Sequence, residues 1–142
     1  MKKELMVLSN GKKVIPTYIE GLLVADDCID QAVVYGEGRH YVTALLVPHW
    51  DNLRRAVANC GQRLPDNATE DELAGHPAVR EELQKRVSSR LADVAGYEQV
   101  KRFHILPRPF TVVDGELTVS LKMRRGVIFA RYQAELESLY RE

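Results

Sequence analysis

Apolar residues change their spacing several times along the chain, and each change marks an element. Glu4-Leu5-Met6-Val7-Leu8 and Lys12 to Ile15 flank Ser9-Asn10-Gly11, so the chain opens on a predicted β-hairpin. Pro16 suits a first helical turn. From Pro16 to Ala25, Tyr18, Ile19, Leu22 and Leu23 form the apolar side of a helix. Gly21 weakens that helix by roughly 1 kcal/mol relative to alanine and marks a place for a close backbone approach. Ile29 to Tyr35 and Tyr41 to Val47 are rich in β-branched and aromatic residues. The short link Gly36-Glu37-Gly38-Arg39-His40 makes them an antiparallel pair. Unbroken apolarity in Ala44-Leu45-Leu46-Val47 predicts a central strand covered on both faces.

Further along, a helix is expected from His49 to Cys60, stopped by Gly61. A polar loop follows, and Thr69 with Glu72 fits a capping box for one helical turn. Val79, Leu83, Val87, Leu91 and Val94 draw one apolar stripe along a helix from Pro77 to about Ala95. Its other face, with Arg80, Glu81, Glu82, Lys85, Arg86 and Arg90, reads as solvated. Phe103 to Leu106 is another strand. Asp114-Gly115 is a turn, and the alternation in Leu117 to Leu121 predicts a short half-buried strand. The last helix, Arg124 to Leu139, presents Val127, Ile128, Tyr132, Leu136 and Leu139. Together these give an α+β fold: a leading β-hairpin and a sheet of about three strands, packed with three to four helices.

With 142 residues the chain fits one domain. A domain this size buries roughly two-thirds of its unfolded surface, so it needs no metal or disulfide staple. The 20 basic residues balance the 20 acidic ones, which argues against a domain built to grip nucleic acid or an anionic membrane. Cys28 and Cys60 lack CxxC spacing, so a reducing, cytoplasmic setting is the default expectation. No apolar run approaches the ~20 residues that span a bilayer, and no signal peptide is evident in the opening residues.

Independent chemistry is sparse. His40, His49, His76 and His104 are scattered without metal-ligand spacing. No serine lies in a nucleophile elbow, and no Gly-rich phosphate loop is present. Glu20 and Asp27 read as ordinary ion-pairing residues. Two features remain. One is Lys122, at a predicted strand-to-helix corner, where its ordinary reading is a solvated lysine. The other is the hairpin tip at Gly11, where the ordinary reading is a turn glycine.

Three segments carry a resemblance to AMP-forming acyl-CoA synthetases. Lys2-Lys3-Glu4-Leu5, Gly11-Lys12-Lys13-Val14 and Pro16-Thr17-Tyr18-Ile19-Glu20 resemble the family's hinge-following motif. Leu117-Thr118-Val119-Ser120-Leu121-Lys122-Met123-Arg124-Arg125 resembles its last core motif, which holds the adenylation lysine. Val100 to Pro107 is similar to the segment preceding that motif in long-chain members. The likeness covers essentially the whole chain. It departs in places: many members have Ser-Gly-Lys where this chain has Ser120-Leu121-Lys122, which is closer to the long-chain branch. Val119 stands where proline is frequent, Lys13 where asparagine is, and Met1 where a hinge-flanking arginine is usual.

The resemblance implies that residues 1–142 are the single small, mobile C-terminal domain of such an enzyme. Residues 1–16 would be the hairpin after the hinge, residues 17–142 the α+β core, and the large N-terminal domain would lie outside this chain. It implies a long-chain fatty acid–CoA ligase: a carboxylate and ATP give an acyl-adenylate, and coenzyme A then gives the thioester. Lys122 would be the catalytic adenylation lysine. Asn10, Gly11 and Lys12 would face coenzyme A, with a solvated surface role equally open for Lys12. Mg²⁺ with the ATP would be held mainly by the large domain. The expected partners are that domain, the fatty acid, ATP and coenzyme A, with no nucleic acid; peripheral membrane association would run through the large domain. The rival expectation is a free-standing, non-catalytic α+β regulatory or interaction module.

Overall fold

A computed structural model describes residues 4–141. Lys2 and Lys3 of the opening motif, and Met1, lie outside the described residues. The leading hairpin pairs β1 (Met6–Val7) with β2 (Lys13–Val14). Helix α1 (Pro16–Val24) follows, then β3 (Ile29–Tyr35) and β4 (Val42–Pro48), which pair antiparallel as expected. Next come α2 (Trp50–Asn59), α3 (Glu70–Ala74), α4 (Pro77–Arg90) and β5 (Val100–Ile105). Helices α5 (Arg125–Arg131) and α6 (Gln133–Ser138) close the chain. The six α-helices among the described residues exceed the expected three to four because the Thr69 turn forms α3 and the last helix is interrupted at Tyr132.

Strand order in the main sheet is β3-β4-β5, and β5 runs parallel to β4. Every residue of β4 is buried. Its side chains alternate between two cores. Val42, Ala44 and Leu46 pack with Ile19 and Leu23 of α1, Leu53 and Val57 of α2, and Val79, Leu83 and Val87 of α4. On the opposite face Leu45 and Val47 join Leu106, Phe110, Leu117, Ile128, Leu136 and Leu139. The sheet is therefore the middle of three layers, and a strand apolar but for Thr43, whose hydroxyl is hydrogen-bonded to Tyr35 and Tyr140, is what that position demands.

The hairpin rests on the β3–β4 connection. The Ser9 amide donates to the Arg39 carbonyl and the Gly38 amide to the Val7 carbonyl, both at 2.9 Å. A Cβ on Gly36 would lie 3.2 Å from Leu8 Cδ2 and 3.3 Å from the Tyr41 carbonyl. The close approach thus falls at Gly36; a Cβ on Gly21 would meet no other part of the fold within 4 Å. Gly11 has φ +83°, as an Asn-Gly turn requires.

Two other expectations are revised. Helix α4 stops at Arg90, short of Ala95, where the Gln99 side-chain amide donates to the Leu91 carbonyl at 2.6 Å. Its polar face is only partly solvated. Glu82 is buried, and so is Asp26 in the turn after α1. Arg86 spans Glu82 Oε2 at 2.9 Å and Asp26 Oδ1 at 3.0 Å, and Arg90 reaches Asp26 Oδ2 at 3.1 Å. A carboxylate so enclosed needs its cations. Among the described residues no helix is long and apolar enough to cross a membrane.

This cluster sets the acid sensitivity. Burial pushes both carboxyls up. For Asp26 the Cys28 amide, Arg86 and Arg90 outweigh it and hold the group below its ordinary 3.8. For Glu82, Arg86, the Cys60 thiol and Lys85 do the same against 4.5. A group with a depressed folded value stabilises the fold above its unfolded value and loses that contribution as pH falls through the folded one. Urea unfolding is therefore expected to give flat stability from about pH 7 to about pH 5 and a decline below that. Asp26→Asn should cost about 2 kcal/mol at neutral pH and remove much of the decline. A profile parallel to the unsubstituted chain would place the acid sensitivity elsewhere.

Candidate functional site

The stretch that bears Lys122 is anchored at both ends and folded on itself between them. At its start, the Phe110 amide donates to Gln31 Oε1 on β3 at 2.6 Å. Asp114-Gly115 makes the expected turn, with Gly115 at φ +76°. Buried Glu116 accepts the Thr111 amide and pairs with Arg131 of α5 at 3.1 Å. Then Leu117 bridges to Met123, and the loop between them closes through Thr118. The Thr118 amide donates to the Lys122 carbonyl at 2.9 Å and the Leu121 amide to the Thr118 carbonyl at 2.8 Å. The Lys122 amide donates to Thr118 Oγ1 at 3.0 Å.

The predicted strand from Leu117 to Leu121 is thus a tight turn. Its alternation has no second buried position: Leu117 is buried, but Val119 is 91% exposed and Leu121 68% exposed. A strand needs one face covered to fix its register, and here the turn's own hydrogen bonds decide the conformation. Leu121 has φ +66°, which no other described non-glycine residue shares in sign. A leucine in this left-handed region costs about 1 kcal/mol relative to the ordinary helical region. The difference between Ser120-Leu121-Lys122 and the Ser-Gly-Lys common among AMP-forming synthetases therefore falls on the one loop position where glycine would be unstrained.

Lys122 lines a cleft of about 330 Å³ with Glu4, Thr17, Glu20, Met123 and Arg125. Both carboxylates there are taken by Arg125. Glu20 is buried on α1 and holds the guanidinium in two-pronged fashion, at 2.5 Å to Oε2 and 2.6 Å to Oε1. Glu20 Oε2 also accepts the Val34 amide of β3 at 2.8 Å. Arg125 Nε completes the group by donating to Glu4 Oε2. Burial alone would weaken the charge on Arg125, but Glu20 and then Glu4 outweigh it and push the guanidinium above its ordinary value. Among the described residues, no carboxylate lies within ion-pair distance of Lys122. The cleft therefore presents an ammonium with no partner of its own beside two carboxylates already engaged by Arg125, which leaves it available to an anionic group arriving from outside.

The hairpin tip is a separate patch, and the cleft lining does not include Asn10, Gly11 or Lys12. Asn10 Oδ1 accepts the Lys12 amide at 2.9 Å, an Asx turn that shapes the tip. Lys12 Nζ stands 5.6 Å from the Tyr97 ring centre. A Cβ on Gly11 would meet nothing within 4 Å, so the backbone there is open to an approaching chain. No three His, Cys, Asp or Glu of the described residues converge to hold a metal ion.

The sequence points to Lys122 and to the tip but gives no sign of the partnership of Glu20 with Arg125. There Glu20 reads as an ordinary ion-pairing residue and Arg125 as part of a helix start. The available signal is positional: each residue ends one of the three segments that carry the family resemblance.

Comparison with known proteins gives the family of the chain. Residues 3–142 match a family described as the AMP-binding enzyme C-terminal domain. The candidate fatty-acid–CoA ligase fadD11 of Mycobacterium tuberculosis is 36% identical over 140 residues, covering 98% of this chain and 24% of that protein. The long-chain-fatty-acid–CoA ligase FadD15 of the same species is 31% identical over 145 residues, covering 98% and 23%. The chain thus spans about a quarter of the length of these relatives. Among solved structures, the A domain of a carboxylic acid reductase from Segniliparus rugosus, in complex with AMP and a carboxylic acid, is 28% identical with a TM-score of 0.75. The match covers 97% of this chain and 20% of that one.

The left-handed Leu121 yields a stability test. Leu121→Gly relieves the strain and adds chain entropy to the unfolded state, for a net gain of about 0.5 kcal/mol in urea unfolding. Leu121→Val, β-branched at positive φ, should lose about 1 kcal/mol. If the glycine variant proves the less stable of the two, the loop does not hold this backbone.

Proposed function

The chain belongs to the AMP-binding enzyme C-terminal domain family, and on that footing we propose that it is the small C-terminal domain of an ATP-dependent long-chain fatty acid–CoA ligase. The observation that carries the reading is Lys122, a cation without a carboxylate partner among the described residues, in a cleft built from two of the three segments that resemble the family. The ligase names of FadD15 and fadD11 support the reaction class. The free-standing regulatory module is not favoured, since the relatives match this chain as about a quarter of a longer protein.

The reaction runs in two halves. In the first, a fatty acid carboxylate attacks the α-phosphorus of ATP and pyrophosphate leaves with the electron pair of the broken bond. Two anions must approach each other, and the Lys122 ammonium neutralises charge as they do. A contact of this kind contributes on the order of 10²–10³ in rate. In the second half, the thiol of coenzyme A attacks the acyl carbonyl and AMP departs. The tip at Asn10, Gly11 and Lys12 serves this step: Gly11 offers side-chain-free backbone to the pantetheine arm, and Lys12 offers charge. A large N-terminal domain, outside this chain, supplies the acyl pocket and the rest of the nucleotide site, including the ligands of any Mg²⁺ bound with ATP. Domain rotation brings the two separate patches into play in turn. The cytoplasm suits the two unpaired cysteines, Cys28 and Cys60.

The test uses the enzyme that carries this chain behind an in-frame adenylation domain. Lys122→Ala should lower acyl-adenylate formation by about 10²–10³-fold and spare thioester formation from supplied acyl-adenylate. Equal loss in both halves counts against the assignment. Gly11→Leu should act the other way, slowing the thioester step and leaving adenylation intact. Unchanged coenzyme A turnover in that variant would remove the tip from the site.

A further inference from the structure

The Lys122 loop is held at its base by apolar packing, where Leu117 is buried and Met123 packs against the same core, and its polar ties to other layers are few. Its internal hydrogen bonds run between Thr118, Leu121 and Lys122. Val119 and Leu121 point to solvent. Leu117 enters the core before the loop, and the Arg124 amide returns to the Glu116 carbonyl at 2.8 Å, which again ties the stretch to itself. The first side chain after Lys122 to reach another layer through strong bonds is Arg125. Its partner Glu20 is itself fixed by the Val34 amide, so the hydrogen-bonded path from lysine to sheet is Lys122, Arg125, Glu20, β3, beside the apolar packing of Met123. A guanidinium held two-pronged has one orientation, whereas an ammonium would have many.

We propose that Arg125, clamped by Glu20, is a positioning residue for Lys122: it sets the height and direction of the lysine loop and keeps the cleft carboxylates from capturing the ammonium. The inference rests on the functional reading of Lys122 given above. Glu4 has a lesser part. Its side chain is 51% exposed, and an exposed pair contributes little. The hairpin keeps its own anchors, Met6, Leu8 and Val14 in the core and its bonds to Gly38 and Arg39. Loosening Arg125 therefore disturbs the lysine face and leaves the hairpin tip in place.

The experiment compares Arg125→Lys, Glu20→Gln, Lys122→Ala and the double variants Lys122→Ala/Arg125→Lys and Lys122→Ala/Glu20→Gln in the complete enzyme. Arg125→Lys keeps the charge and loses the fork; Glu20→Gln keeps an acceptor for the Val34 amide. Both should lower kcat for adenylation about tenfold or more, since misplacement of a catalytic group by about 1 Å can reach 10²-fold. KM for ATP should stay within about twofold, and thioester formation from supplied acyl-adenylate should persist. That second half-reaction also reports that the domain is folded. The deciding result is the double variant. If Arg125 acts through Lys122, each double variant is no slower in adenylation than Lys122→Ala alone. Losses that multiply, or equal loss of both half-reactions, overturn the positioning role. If Lys122→Ala itself adenylates normally, the reading of Lys122 fails first, and that outcome is distinct from a clamp that proves idle.

Discussion

The pairing of Glu20 with Arg125 is the constraint on which the arrangement of this domain turns. One buried carboxylate meets a strand amide on one side and a guanidinium on the other. A charge at that depth is tolerable only when its oxygens are all engaged. Satisfying it obliges α1, β3 and the start of α5 to meet at one point. The Glu4 end of the hairpin is drawn in as well, through Arg125 Nε. Elements separated by more than a hundred positions in sequence thus share a single polar node, and the cleft beside Lys122 is what remains open next to it.

The node works because the layers behind it are rigid. β4 is buried along its whole length and divides its side chains between two cores. The helical layer of α1, α2 and α4 backs one face, so α1 presents Glu20 from a fixed platform. The C-terminal segment covers the other face, so Arg125 arrives from the opposite direction. A cation set on that seam is held by packing on both sides, while the hairpin tip, joined by backbone bonds to the β3–β4 connection, keeps an independent surface.

Much of this is legible in the residues. The Asn10-Gly11 turn, the antiparallel β3–β4 pair, the capping box at Thr69 and Glu72, and the two-faced burial of β4 all follow from local pattern, and the structure has them. Pattern fails where it has no access to partners. The alternation at Leu117 to Leu121 looks like a strand, yet only tertiary packing decides whether a second face is covered. The stripe of α4 continues to Val94 in sequence, but the Gln99 side chain takes the carbonyls of Leu91 and Val94 and the chain turns. Arg86 looks solvated in sequence because its partner Asp26 lies on a distant turn. The parallel pairing of β5 with β4, and the Glu20–Arg125 contact, are long-range and leave no periodic trace. For the candidate site the outcome is similar: family resemblance picks out Lys122 and Gly11, and geometry alone supplies what stands between them and the sheet.

The two-sided burial of β4 also has a consequence in time. Val33, Leu45 and Val47 wait for Leu106, Phe110, Leu117, Ile128, Leu136 and Leu139 to cover them, and Tyr140 seals the edge by hydrogen bonding to Thr43 and the carbonyls of Tyr35 and Tyr41. During synthesis, β3 and β4 leave the ribosome almost a hundred residues before their second face can close. For that interval the nascent chain carries an apolar sheet surface open to water, the kind of exposure that invites aggregation. Completion of the fold is therefore timed by the arrival of α6, and a chain released before Leu136 would leave part of that surface uncovered.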